Sequence, residues 1–394
     1  MLGFSVGALC ALFATPASAV DPAGPGPSYL LGAPVDDDPA HAWSVGICQS
    51  DHGCAADTTY CSGTLVAPNL VLTARHCVDN GMYVSNEFCE NAFMGVVVPE
   101  DLFVTVDPDP FGPDATPTWV GVSRVLLEED TGLCTGDIAL MVLDTPVLAD
   151  VATPAWVDVE TNLAADPPEA VAIVGRGWLD GTIVESAPGV FLPEKIDDGG
   201  QQRRILEDIP VTCVTDDEAG CVVPDWSEPS GTFAFVSNSL VVGSSALPGD
   251  SGSGILDQES FDDGVARVIA VATIAFWSTP DPAPSGAAGQ RTSRHRSFLV
   301  AGALDAAAEA GIEPPGWAVD GALPPPPAAD TADTGAAAEP STGATGDPDP
   351  AASGASAGCG CATEGPRPVT AVSLWLAAAA AIRRRRAQEP RTVG

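Results

Sequence analysis

The chain has 394 residues, 45% of them hydrophobic, with 41 Gly and 37 Pro, enough apolar content for one large packed domain or two smaller ones. Its formal net charge is -37 and Lys195 is its single lysine; such a surface repels phosphate backbones, excludes nucleic acid as a partner and favours solubility. The chain has 11 Cys, most of them between Cys48 and Cys221, a usage that points to an oxidising compartment and disulfides.

Residues 1–19 run through an apolar stretch and end in Ala17-Ser18-Ala19, which predicts a secretory signal peptide cleaved after Ala19. Residues 20–40 are rich in Pro, Gly and Asp, and 20–29 are expected to be a propeptide. From Ala42 short apolar runs appear at 43–47, 63–66, 70–74, 94–98, 120–127 and 138–143. The second half repeats the style at 170–174, 205–211, 232–236, 240–242 and 268–275. Short runs punctuated by Gly, Pro, Asp and Asn predict strands of an all-β sandwich or barrel. Residues 297–311 differ: Phe298, Leu299, Ala301, Leu304 and Ala308 follow one face of a helix, and Gly311 ends it. Residues 314–357 form a Pro/Ala/Asp/Thr/Gly-rich linker with too little bulky apolar content to bury. The tail, 358–394, holds Cys359, Cys361, an apolar run at 369–382 and the cluster Arg383-Arg384-Arg385-Arg386. That run is short for a transmembrane helix, which takes about 20 residues, but the arginines after it suit a positive-inside stop.

The stretch Leu247-Pro248-Gly249-Asp250-Ser251-Gly252-Ser253-Gly254 carries a serine among glycines. Glycine lets the backbone turn sharply and approach a substrate, and a serine hydroxyl needs an adjacent base to act as a nucleophile. Alone, such a string also describes an ordinary turn. Of the histidines, His41, His52 and His295 lie in polar or loop-like surroundings and read as surface residues. His76 ends the apolar run 71–74 and precedes Cys77. Among the acidic residues Asp137 stands directly before a hydrophobic run, where a carboxylate is expected to be partly buried and must be paired or hydrogen-bonded. Pairing with an imidazole N–H would fix its tautomer and stabilise the imidazolium.

Thr73-Ala74-Arg75-His76-Cys77, Gly136-Asp137-Ile138-Ala139-Leu140 and Gly249-Asp250-Ser251-Gly252 occur in the order His, Asp, Ser. This set resembles the trypsin/chymotrypsin-like serine proteases over roughly residues 30–311. The resemblance implies a domain over 30–313 built of two six-stranded antiparallel Greek-key β-barrels with a short C-terminal helix. It further implies a catalytic triad of His76, Asp137 and Ser251 in the cleft between the barrels. By the same resemblance the Gly249 and Ser251 N–H groups form an oxyanion hole, and Asp250 pairs with an N-terminus freed at Leu30 when a zymogen is cut. Ser245 would form the base of the specificity pocket, with Thr273 and Ala275 on its wall. An uncharged base disfavours Lys or Arg, and small wall residues leave room for an apolar side chain.

The chain departs from the family pattern in three places. No basic residue precedes Leu30, Ser253-Gly254 stand where Gly-Pro is more common, and Leu247 replaces a cysteine. The family pattern implies a disulfide between Cys61 and Cys77. Proximity in sequence suggests Cys213–Cys221 and Cys48–Cys54, leaving Cys89–Cys134, out of 105 connectivities that eight cysteines allow. None of the eight is spaced Cys-x-x-Cys, so no zinc site is read here. Asp36, Asp37 and Asp38 read as an exposed acidic loop rather than a calcium site, and no cofactor or metal is expected.

The tail resembles the sorting domain of myxobacterial surface proteins (MYXO-CTERM), which implies processing at Cys359 or Cys361 and delivery to the cell envelope. The expectation is an exported, monomeric serine endopeptidase acting on proteins or peptides at the cell surface or outside the cell. The alternative is a catalytically silent, protease-like binding or adhesion protein; a further one is an esterase using the same site.

Overall fold

The computed structural model describes residues 33–50, 54, 59–80, 82–83, 92–129, 132–178, 180–187, 190–197, 201–215, 221–225, 231–235, 238–243, 249–277 and 284–321. The expected signal peptide, propeptide, most of the linker and the sorting tail lie outside them, as do Leu30, Cys89, Ser245, Cys359 and Cys361.

The apolar runs of the first half form β1 (Ser44–Gln49), β2 (Thr59–Ala67), β3 (Leu70–Thr73), a small pair β4 (Met82–Tyr83) and β5 (Ala92–Phe93), then β6 (Leu102–Thr105), β7 (Val120–Leu127) and β8 (Ala139–Leu143). Six of these close an antiparallel barrel in the order β1-β2-β3-β8-β7-β6. Every residue of β3 and β8 is buried, so these strands read as continuous apolar runs rather than alternating ones.

The second half contributes β9 (Trp156–Val157), β10 (Ala170–Gly175), β11 (Asp180–Ala187), β12 (Val190–Asp197), β13 (Arg204–Val214), β14 (Cys221–Asp225), β15 (Gly231–Phe235), β16 (Ser239–Val242), β17 (Gly254–Asp257), β18 (Arg267–Trp277) and β19 (Pro284–Arg291). The sheet β17-β10-β13-β16-β19-β18 closes on itself through the β17–β18 pairing, and β9 adds in parallel to β18. Numbered within each barrel, both rings run 1-2-3-6-5-4, the Greek-key crossover written twice. The pairs β11–β12 and β14–β15 are separate two-stranded ribbons.

One hydrophobic cluster fills the first barrel and continues through Ala172, Val174, Leu256, Val268 and Val271 of the second; another, around Ile173, Ile209, Leu240 and Ile255, fills the second barrel. The barrels are therefore cemented to each other by apolar contacts, and the groups between them are fixed by both. The segment Ala33–Asp36 lies along the start of β13: Val35 bridges Arg204, and the Asp36 N–H donates to the Arg203 carbonyl at 2.8 Å. Asp36 is buried rather than part of an exposed acidic loop as expected, because its carboxylate is paired 2.9 Å from Arg203 Nε and 3.1 Å from His41 Nδ1. Burial works against that carboxylate, yet the His41 bond and the Arg203 charge outweigh it and hold its pKa below the ordinary 3.8.

Two short helices, α1 (Leu133–Gly136) and α2 (Gln258–Asp262), lie between strands, and the chain returns to the first barrel in α3 (Arg296–Ala310), followed by the short α4 (Gly316–Val319). Gly311 ends α3 at φ +65°, as expected of a C-terminal glycine. Its buried face differs from the expected one. Leu299, Gly302, Ala303, Ala306 and Ala307 are buried, while Ala301, Leu304 and Ala308 are exposed. A helix this rich in alanine has apolar residues on every side, so the face is chosen by closeness of approach. A Cβ on Gly302 would meet Leu140 Cδ1 at 2.5 Å. Trp317 of α4 is buried and donates from Nε1 to the Val66 carbonyl at 2.9 Å.

Two other expectations are corrected. Residues 94–98 do not form a strand: Met94, Val96 and Val98 are exposed, and only Val96 makes an isolated bridge, to Asp79. His295 is not a surface residue; it is 2% exposed, with Nδ1 2.6 Å from Glu128 Oε2.

Candidate active site

His76 sits in a single 3-10 turn, Arg75–Cys77, that ends the run of β3. Cys77 in that turn is bonded to Cys61 at the start of the barrel portion of β2. The staple joins the histidine's turn to a strand it does not follow directly, so the imidazole is carried on two anchors. Asp137 caps the short helix α1 (Leu133–Gly136) just before β8 and has no exposed surface.

The two side chains meet in a bidentate arrangement. His76 Nδ1 lies 2.7 Å from Asp137 Oδ2, and the His76 backbone N–H donates to Asp137 Oδ1 at 2.9 Å. A carboxylate accepts, so Nδ1 carries the ring proton and the neutral imidazole keeps Nε2 as an acceptor. The His76 side chain is 12% exposed, open enough for one edge of the ring to reach a substrate.

Ser251 is half-buried on the turn that precedes β17. Its carbonyl oxygen accepts from the Ser62 N–H at 2.8 Å and lies 3.5 Å from Cys77 Sγ, beside His76. The Gly252 N–H donates to the Ala272 carbonyl and the Ala272 N–H returns to the Ser253 carbonyl, at 2.8 and 2.9 Å. The turn that carries Ser251 is thus tied to β2 of one barrel and β18 of the other. Two glycines make the turn: Gly249 at φ +100° and Gly252 at φ +88°, a region closed to most side chains. A Cβ on Gly252 would also collide with the Ser62 carbonyl and the Thr73 hydroxyl.

Asp250 is fully buried, and its Oδ1 accepts the Gly177 N–H at 2.6 Å. Its expected partner Leu30 lies outside the described residues. Thr273 is buried in β18 at a register shift between Ala272 and Ile274, and its hydroxyl donates to the Ala288 carbonyl at 3.3 Å. Ala275 pairs with Ala287 of β19 in backbone register. Ser245 lies outside the described residues, so the pocket base is not described.

Cys48–Cys54 and Cys61–Cys77 are both bonded as expected. Cys213 is also disulfide-bonded; its expected pairing with Cys221, and that of Cys89 with Cys134, lie outside the described side chains.

Sequence reading missed two buried groups behind the site. Arg176, between Gly175 and Gly177, donates from Nη1 to the Asp107 carbonyl at 2.6 Å and from Nη2 to those of Ser44 and Val106 at 3.2 and 3.4 Å. Burial, followed by the like charge of Arg203, pushes its pKa down to about 9, which leaves it protonated at neutral pH. The other is Ser62 of β2, which has no exposed surface. A glycine on each side of Arg176 was the available signal for a tight spot; nothing local marks Ser62.

Residues 35–187 match the family model described as Trypsin, and no curated protein matches the chain. The matched segment includes His76 and Asp137 and stops short of Ser251. In sequence, then, the part of the chain that carries the histidine and its carboxylate is similar to the Trypsin family.

Proposed function

We propose that the protein is a serine endopeptidase. The observation that carries this reading is the buried Asp137 carboxylate gripping both the backbone and the ring of His76, beside a serine held on a glycine turn between two barrels. The Trypsin match over 35–187 supports the same family, and with it a peptide or protein substrate.

Ser251 Oγ attacks the scissile carbonyl carbon while His76 Nε2 takes its proton. The negative charge passes to the carbonyl oxygen, where the Gly249 and Ser251 N–H groups receive it. Asp137 holds the ring in its tautomer and stabilises the imidazolium. His76 then gives the proton to the leaving amine, the C–N bond breaks and an acyl-serine remains. Water, deprotonated by the same nitrogen, releases the acid.

Ser245, Thr273 and Ala275 would bound a pocket for an apolar side chain. Asp250 would receive the N-terminus freed at Leu30; the antiparallel placement of Ala33–Asp36 along β13 fixes the chain just after that residue. The chain is proposed to be exported as a precursor through residues 1–19 and to reach the cell envelope as a monomer after processing at Cys359 or Cys361. No helix among the described residues is long and apolar enough to cross a membrane; the run 369–382 lies outside them.

The test is hydrolysis of an unbiased peptide pool by the full chain and by Ser251→Ala. The expected result is cleavage by the first alone, with an unchanged unfolding midpoint in the second. Equal cleavage by both would reject the assignment of Ser251.

A further inference from the structure

Ser62 has no exposed surface, and every polar atom it offers is engaged around the nucleophile's turn. Its N–H donates to the Ser251 carbonyl at 2.8 Å. Its hydroxyl donates to the Gly249 carbonyl at 2.7 Å and accepts the Arg176 N–H at 3.0 Å. Its carbonyl accepts the Thr73 hydroxyl at 2.9 Å. One residue on β2 thus holds both ends of Gly249-Asp250-Ser251 from the opposite barrel. It follows Cys61, whose disulfide reaches the turn of His76.

Gly249 is the end that needs holding. At φ +100° and without a Cβ, its backbone has several accessible conformations. An oxyanion donor needs the one that would turn the Gly249 N–H towards the reacting carbonyl. The Ser62 hydroxyl selects among them by fixing the Gly249 carbonyl, and the hydroxyl is itself aimed by the Arg176 N–H. Arg176 is immobilised in turn by the carbonyls of Asp107, Ser44 and Val106. The Gly177 N–H, one residue on, binds Asp250 at 2.6 Å. Both sides of the Gly249–Asp250 peptide are therefore referred to the same short segment.

We propose that Ser62 is a positioning residue for the oxyanion cradle: its hydroxyl couples the Arg176–Gly177 segment to Gly249 and pre-sets the Gly249 N–H. This rests on the endopeptidase reading. It predicts an effect on chemistry rather than on substrate binding, because the hydroxyl has no surface with which to touch a substrate.

The experiment measures kcat and KM for a peptide substrate with the full chain, Ser62→Ala and Ser62→Thr, together with the rate of Ser251 modification by a fluorophosphonate. Ser62→Ala is expected to unfold cooperatively above the assay temperature, to keep KM, and to lose kcat and modification rate on the order of 100-fold, the scale of a small misplacement at a reacting centre. Ser62→Thr, which restores the hydroxyl, is expected to recover most of that loss. A Ser62→Ala protein with unchanged kcat, or one whose loss lies in KM or in folded fraction alone, would overturn the proposal. Should Ser62→Ala not fold, Ser62→Cys decides: it keeps the volume with a weak donor, and unchanged kcat in it overturns the proposal equally. Wild-type protein that neither cleaves nor reacts, even with Leu30 exposed as its N-terminus, would reject the endopeptidase reading itself, and this inference with it.

Discussion

Asp137 accepts from two N–H groups of His76, one in the backbone and one in the ring. In Asp137→Asn the amide oxygen still accepts the backbone N–H, while the amide NH2 faces Nδ1 and turns it from donor to acceptor. The ring proton moves to Nε2, the atom proposed to take the proton of Ser251. Activity is expected to fall by about 10⁴-fold in kcat, as for an amidated carboxylate in a Ser-His-Asp triad, with little change in fold. Steady-state kinetics beside a circular dichroism spectrum checks this, and a loss under tenfold would contradict it. Gly252 obeys a steric rule instead. Gly252→Ala places a Cβ against Ser62 and Thr73 at φ +88°, and is expected to cost about 3 kcal/mol of stability. Denaturant unfolding reads that cost directly.

At the scale of elements, what could be read from sequence follows from how local each signal is. Val120–Leu127 carries its own strand pattern and was placed to the residue. Pro284–Arg291 contains Pro284, Gly286 and Gly289 and has no strand propensity, yet pairs on both sides, with β16 and β18. There the small residues are required: a Cβ on Gly289 would press on Ile255 and the Val271 carbonyl. The proposed triad was read from short motifs, one around each of His76, Asp137 and Ser251. Ser62 was not, because its hydroxyl answers a carbonyl 187 residues away. The face of α3 was misjudged for a related reason, since alanine on all sides leaves periodicity without contrast. The corrected face makes a prediction. Gly302→Val should destabilise by about 1–3 kcal/mol through overpacking against Leu140, whereas Leu304→Gln on the exposed face should stay within about 0.5 kcal/mol. Thermal midpoints that reverse this order would restore the original face.

For the whole molecule, the joint between the barrels is both apolar and charged, and the charged part answers to pH. Asp36 has its pKa held below 3.8 by His41 and Arg203 against its own burial. A carboxylate with a depressed folded pKa adds stability that is fully present above the unfolded value and is lost as pH falls through the folded one. The stability gap between the wild type and Asp36→Asn should therefore be widest above pH 3.8 and narrow below it. A gap that is constant or widens in acid would show that the pair does not hold the segment Ala33–Asp36 in place. At neutral pH, Asp36→Ala leaves Arg203 charged in a site 1% exposed, and is expected to cost about 3–5 kcal/mol, as for other broken buried pairs. That segment begins three residues after Leu30, the residue proposed as the mature N-terminus.

Ser251, His76 and Asp137 are proposed to work as one unit, and intact mass with peptide mapping after exposure to a fluorophosphonate tests this. The full chain, folded under oxidising conditions, should gain a single adduct on Ser251, and Ser251→Ala should gain none. An adduct elsewhere, or none even after Leu30 is exposed as the N-terminus, would rule out that unit and leave a protease-like binding protein.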